Sequence, residues 1–107
     1  MRKQRDFDRL YREGSRVRGR FLTLVWRPAA PDEPLRAATI ASRKVGGAVV
    51  RNLVKRRLRN LLDAVPWIRP AGCDLAFIAH PGAADASFAE LREQVDRAVR
   101  RAGLVGE

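Results

Sequence analysis

Between Ser42 and Asn60 the sequence runs S-R-K-V-G-G-A-V-V-R-N-L-V-K-R-R-L-R-N, seven basic side chains without one acid. Guanidinium and ammonium groups at this density suit one kind of chemistry, the holding of phosphate oxygens by charge-assisted hydrogen bonds. The segment opens on Gly46-Gly47 and continues with apolar residues at helical spacing, which predicts a glycine turn and then a helix from about Ala48 to Val65. On a helical wheel started at Arg51, Lys55 falls at about 40°, Arg59 at about 80°, Asn52 at about 100° and Arg56 at about 140°. Val50, Leu53, Val54, Leu58, Leu61 and Leu62 take the other side, and Arg57 falls among them, where it must snorkel or find a partner. A face that only meets solvent ordinarily mixes signs and gains i, i+4 pairs. This one holds no acid, so its charges repel one another until an anion is bound.

The glycine turn admits two readings. Free N–H groups and the helix dipole attract phosphate there, yet a turn that needs a positive φ explains one glycine without any ligand. A Walker loop is excluded, because the lysine and Ser/Thr that should follow its last glycine are absent. Nor does the chain carry a nuclease centre of its own. Asp6, Asp8, Glu13, Asp63, Asp74 and Asp85 are scattered, and His80, the only histidine, stands beside a proline at a strand end where a structural role is expected. No catalytic residue and no protein-bound metal is therefore assigned.

The elements that must position the basic helix follow from periodicity. Phe7, Leu10 and Tyr11 share one helical face, with Asp6 as a cap and Gly14 as a stop. Val17–Trp26 reads as a strand, Phe21, Thr23 and Val25 on one face and Leu22, Leu24 and Trp26 on the other. Residues 28–34, with three prolines, are a connection, and Leu35–Ser42 a second strand. Residues 66–72 connect the basic helix to a third strand, Cys73–Ala79. Ser87-Phe88-Ala89-Glu90 has capping-box spacing, so a last helix runs to Gly103 on an apolar face of Phe88, Leu91, Val95, Val99 and Ala102. A fourth short strand fits within residues 17–42. This order makes one α+β domain over residues 1–107, a small sheet packed with helices.

Composition narrows the partner. The net charge is +10, and 19 of the 22 basic residues are arginine. The excess is segregated: residues 1–30 carry +6 and residues 42–60 carry +7, whereas residues 87–107 balance at zero. Charge held on two segments fits a polyanion better than solubility alone. One cysteine, Cys73, sits in an apolar strand as an inert thiol of a reducing compartment, and the basic start lacks the apolar stretch of a secretory signal, so a cytoplasmic setting is expected. Membrane binding is disfavoured because the apolar helix face is needed for the core. A groove-reading DNA helix ordinarily has a partner helix before it, and this one follows a strand. A general RNA-binding module remains compatible with the charge.

The run Ser42–Arg59 resembles the signature of the protein component of bacterial ribonuclease P, roughly S-K-K-x-G-N-A-V-x-R-N-R-x-K-R-x-x-R. Asp6-Phe7 through Tyr11 to Gly14 resembles that family's opening D-F-x-x-(V/L)-(F/Y)-x-x-G, and Ile78-Ala79-His80-Pro81 its A-R-P strand end. The likeness covers nearly the whole chain, in order. Three positions depart: Leu53 replaces an arginine, Gly47 an asparagine and His80 an arginine.

The resemblance implies an αβββαβα sandwich with a small mixed sheet and a left-handed β-α-β crossover. It implies a protein subunit that binds the catalytic ribonuclease P RNA and the 5′ leader of precursor tRNA, with Mg²⁺ held through the RNA and catalysis by the RNA. Carried onto this sequence, Arg43, Lys44, Gly46, Arg51, Asn52, Lys55, Arg56 and Arg59 are the expected contacts to the catalytic RNA. Phe7, Tyr11, Arg12, Arg18, Arg20 and Phe21 are the expected contacts to the leader, through stacking on aromatics and arginine on the backbone. Phe7, Tyr11 and Phe21 also fit a plain core role.

Overall fold

A computed structural model describes residues 4–28, 35–65 and 73–104. Its elements run α1 (Gln4–Glu13), β1 (Ser15–Arg18), β2 (Leu22–Pro28), β3 (Arg36–Ile40), α2 (Ala48–Ala64), β4 (Cys73–Ala79), a 3-10 turn (Pro81–Ala84) and α3 (Phe88–Arg101). The αβββαβα order expected from the resemblance is present. The four strands form one mixed sheet in the order β1-β2-β4-β3. β1–β2 and β2–β4 are antiparallel, and β3–β4 is parallel, joined through α2. This is the β-α-β unit for which the resemblance implies a left-handed path. The connections expected at residues 29–34 and 66–72 lie outside the described residues.

The strand expected over Val17–Trp26 is two strands. Gly19 breaks it: its N–H donates to the Leu22 carbonyl at 2.8 Å, and Gln94 of α3 accepts from the Arg20 N–H at 2.8 Å. A Cβ on Gly19 would stand 2.5 Å from the Gln94 Oε1, so a side chain here would displace the Gln94 amide from the turn. The additional short strand is thus β1, at the sheet edge, which begins at Ser15, ahead of the residues 17–42 where it was expected; β2 is central, apolar on its Leu22, Leu24 and Trp26 face and mixed on its Thr23, Val25 and Arg27 face. α1 is already helical at Gln4, which places Asp6 in its first turn and not at its cap. It ends at Gly14, whose N–H donates to the Leu10 carbonyl at 2.8 Å. A Cβ there would collide with that same carbonyl, so close approach and not a positive φ fixes this glycine.

Alternation along the strands sends Leu22, Leu24, Cys73, Leu75 and Phe77 to one face of the sheet. There they join Val54, Leu58, Leu61 and Leu62 of α2 and Leu91, Val95, Ala98 and Val99 of α3. Phe77 is the largest fully buried side chain, and Cys73 is buried within the same core. The opposite face has a far smaller cluster, Leu10 of α1 on Val25 and Ala76, with Tyr11, Ala38, Ile40 and Ile78 packed around it. Below that cluster the buried Asp74 carboxylate takes two hydrogen bonds from Arg36, each 2.8 Å, and stands 3.5 Å from Arg27. A buried carboxylate is tolerable only with such partners.

Two details of the helices differ from the periodic reading. Val50 is 36% exposed, its side chain folded back over Gly46 and away from the core. Phe88 is 43% exposed, because the capping box turns the first residue of α3 outward. Arg57 finds its partner: Nη1 donates to the Ala86 carbonyl at 3.4 Å.

Candidate nucleic-acid interface

The entry to α2 is built from Val45 and two glycines. Val45 is buried and anchors the turn, its N–H donating to the Ser42 carbonyl at 3.0 Å, so Arg43 and Lys44 are left exposed beside it. Gly46 has φ +156°, and a Cβ would meet Val50 at 2.9 Å; the turn itself requires this glycine. Gly47 has an extended backbone and open space around it, and as N-cap it offers no side chain to the first-turn N–H groups. No acid stands in that turn. Among the described residues, the α2 N-terminus therefore has neither a side-chain cap nor a first-turn acid to answer its positive end.

Along α2, Asn52, Arg56 and Arg59 are exposed, while Arg51 and Lys55 are half-buried. The wheel had grouped all five on one polar face, and the core stripe lies closer to Arg51 than that. Leu58 and Leu62 flank Arg51 at about 20° on either side and both are buried. Arg51 Nε is buried without a hydrogen-bond partner among the described residues. None of the cations Arg43, Lys44, Arg51, Lys55, Arg56 and Arg59 has an ion-pair partner among the described residues, where α1 and α3 supply three i, i+4 pairs. Leu53, where the family signature has arginine, is half-buried.

The second surface lies on the α1 face of the sheet, which is organised in rows. Strand register aligns Arg16, Val25, Ala76 and Ala38 in one row, and α1 covers it through Leu10. The next row, Arg18, Thr23, Ile78 and Ile40, is left half-open. Arg16, Arg18, Thr23 and Ile78 line a trough of about 320 Å³ along it. Phe7 and Tyr11 lie next to each other on α1, ring centroids 6.3 Å apart and tilted by 32°, and Arg16 Nη2 ties β1 to α1 at the Tyr11 carbonyl, 2.9 Å. Burial raises the Tyr11 phenol above its ordinary value, Arg16 opposes this and Asp8 adds to it. The phenol thus stays neutral and able to donate. Arg12 is exposed at the end of α1.

Arg20 and Phe21 do not join this trough. Phe21 packs against the larger core and under Gly82, and the Arg20 guanidinium lies 5.0 Å from the centre of its ring. Both face a polar hollow of about 400 Å³ between the β1–β2 turn and Glu93, Arg97 and Arg101 of α3. The leader set read from the sequence is therefore divided, with Phe7 and Tyr11 on one face of the sheet, Arg20 and Phe21 on the other, and Arg18 at the sheet edge lining both the trough and the hollow. Three residues of the trough region escaped the sequence reading: Arg16, Thr23 and Ile78. Alternation gave the facing of Thr23, but only the long-range register gave the row that joins it to Arg18 and Ile78. His80 also belongs here: its Nε2 lies 2.7 Å from Thr23 Oγ1 and its Nδ1 3.3 Å from the Arg20 carbonyl.

Among the described residues no group of three or more His, Cys, Asp or Glu side chains could hold a metal ion, and no helix is long and apolar enough to cross a membrane. Most acids of the described residues are already committed. Asp74 is paired with arginine, Glu90 closes the α3 cap, and Glu13, Glu93 and Asp96 each hold a neighbouring arginine.

The family model described as Ribonuclease P matches residues 1–103. The ribonuclease P protein component of Thermus thermophilus is 46% identical over 101 residues, covering 94% of this chain and 58% of that protein. The chain thus spans a little under three-fifths of the Thermus relatives' length. The component from Acidothermus cellulolyticus is 40% identical over 102 residues, covering 94% of this chain and 85% of the relative. Among solved structures, the RNase P protein of Staphylococcus aureus superposes with a TM-score of 0.86 at 23% identity, over 99% of this chain and 96% of that one. The Thermotoga maritima protein gives 0.81 at 23% identity, over 99% and 97%. At that identity the structures speak to the fold alone, and the fold agrees with what sequence similarity over nearly the whole chain says: the chain belongs to the ribonuclease P protein family.

Proposed function

We propose that this chain is the protein subunit of a ribonuclease P and assists endonucleolytic removal of the 5′ leader from precursor tRNA in the cytoplasm. The observation that carries this reading is the state of α2. Among the described residues its cations have no ion-pair partner and its N-terminus no side-chain cap, and the helix sits in a fold whose relatives are ribonuclease P protein components. A polyanion would complete such a surface.

In this reading the catalytic RNA packs on Arg43, Lys44, the Gly46 turn, Asn52, Arg56 and Arg59, with Arg51 and Lys55 at the rim. The single-stranded leader lies along the trough, with Arg16 and Arg18 for backbone contacts and Phe7 and Tyr11 on the neighbouring α1 as stacking surfaces. The catalytic Mg²⁺ ions are held by the RNA. The protein's part is positioning and charge neutralisation: a cationic trough beside the cleavage point holds the leader and lowers the salt the RNA needs.

The test combines the full chain with a bacterial ribonuclease P RNA and precursor tRNA at low Mg²⁺. Leader cleavage that needs the protein supports the reading. No stimulation at any protein concentration would return the chain to the general RNA-binding alternative.

A further inference from the structure

The two ring nitrogens of His80 have different partners, and the partners dictate the protons. A peptide carbonyl can only accept, so the contact of Nδ1 with the Arg20 carbonyl places a proton on Nδ1. In the neutral ring Nε2 is then a bare acceptor, and Thr23 must donate its hydroxyl hydrogen to it across 2.7 Å. Thr23 lines the trough and His80 stands behind it. With its only hydrogen turned to His80, the Thr23 oxygen faces the trough with lone pairs alone and repels a phosphate oxygen. When the ring takes a second proton, Nε2–H donates to Thr23. The hydroxyl hydrogen is released toward the trough, and a positive charge appears behind it.

We propose that His80 is a positioning residue that acts through Thr23, reversing the hydrogen-bond direction at the trough floor so that a strand phosphate is held more tightly when the imidazole is protonated. The inference rests on the reading of the trough as the leader site. The backbone is fixed independently of the ring, since the His80 N–H donates to the Phe21 carbonyl at 2.8 Å. The charged groups on the elements around it are Arg16 and Arg18 on β1, Arg20 in the turn, Asp85 after the 3-10 turn, and Glu90 and Glu93 at the start of α3. Arginine keeps its proton and ordinary carboxylates titrate below about pH 5. Imidazole, of which the chain has one, is the side-chain type that changes charge between about pH 5.5 and 8.

The experiment measures affinity of the full chain for leader-bearing precursor tRNA and for the same tRNA without its leader, at both ends of that interval and at fixed salt. The ratio of the two affinities is the leader's contribution. In the unaltered chain it should rise roughly fivefold toward the acid end, the size of one charge-assisted hydrogen bond gained. His80→Gln, whose amide can hold both partners without titrating, should give a flat ratio. It also controls for groups elsewhere, the α-amino group included. Thr23→Val should lose at least half of the rise, and Thr23→Ser, which keeps the hydroxyl, should retain it; circular dichroism checks each fold, and the Thr23 pair decides the matter if His80→Gln is unstable. A leader contribution that is present but equal at both pH values, or a rise that survives His80→Gln or is undiminished in Thr23→Val, overturns the inference and leaves the trough reading intact. No leader contribution at either pH removes the trough reading and the inference with it.

Discussion

α2 and α3 lie on the same face of the sheet, pack into the same core and are both rich in arginine, yet they are finished differently. α3 is complete within itself. Ser87 and Glu90 close a capping box, Glu90 meets the positive end of the dipole, and Arg100 and Arg101 meet the negative end. Two of its four exposed arginines pair with acids one turn earlier, Arg97 with Glu93 at 2.9 Å and Arg100 with Asp96 at 3.0 Å. α2 has none of this: no side-chain cap, no acid in its first turn and no ion pair along its exposed face among the described residues. Each omission costs a few tenths of a kcal/mol or more. Two neighbouring helices of one core show that the chain can finish a helix, and the unfinished surface of α2 is the one proposed above to meet RNA.

The largest effect expected from this contrast is on RNA affinity. Arg56→Glu with Arg59→Glu reverses two exposed charges and should weaken binding to a ribonuclease P RNA by roughly a hundredfold or more at low salt, with the circular dichroism unchanged. Arg97→Glu with Arg100→Glu makes the same change on α3 and should stay within a few-fold. Equal losses from the two pairs would break the comparison. These exposed positions are better targets than Arg51, whose buried Nε couples it to the core.

Salt titration sharpens the same point. The log of affinity should fall with log salt by about 0.9 for each duplex phosphate neutralised. Replacing Arg56 and Arg59 by Gln should flatten the slope by about one to two such units, and the matching α3 pair should leave it alone. A slope indifferent to α2 would place the phosphates elsewhere.

Stability should respond in the opposite sense. Ser87→Ala removes the α3 cap and should cost about 1 kcal/mol in denaturant unfolding, with RNA affinity preserved. Gly47→Asp supplies the cap that α2 lacks, at a position whose backbone is already extended and whose surroundings are open. It should stabilise the free protein by a few tenths of a kcal/mol and weaken RNA binding several-fold. A Gly47→Asp chain that binds RNA as tightly as before would show that the uncapped end is incidental.

The smallest effect concerns pH. Hydrogen bonding from the Ser87 backbone, then from its side chain, holds the Glu90 carboxyl below its ordinary value, with Arg20 contributing in the same direction. A carboxyl lowered on folding adds stability that is complete above its unfolded value and fades as pH falls through the lowered folded one. The α3 cap should therefore weaken only in acid below the ordinary glutamate range, and Glu90→Gln should abolish that component in an acid-unfolding series. α2, which has no such carboxyl in its first turn, should show no counterpart.

Local chemistry made much of this molecule legible beforehand. The capping box of α3, the burial of Cys73 and the stop at Gly14 each depend on residues close in sequence or on one apolar stripe. The failures share a cause as well. Val17–Trp26 read as one strand because alternation runs through Gly19, and the contact of Gln94 with that turn joins residues 74 positions apart. The family resemblance groups Arg20 and Phe21 with the leader residues, and the β1–β2 turn carries both to the α3 side.

By itself the sequence determined the order of elements, the segregation of charge onto two segments and membership of the family, since all three are written in composition and local pattern. Only the tertiary structure decided which arginines are free, that Arg51 is drawn toward the core, and that Arg18, Thr23, Ile78 and Ile40 align into an open row with His80 behind it. Those facts depend on strand register and on the area α1 covers, and register is set by pairing between distant segments that no local window contains.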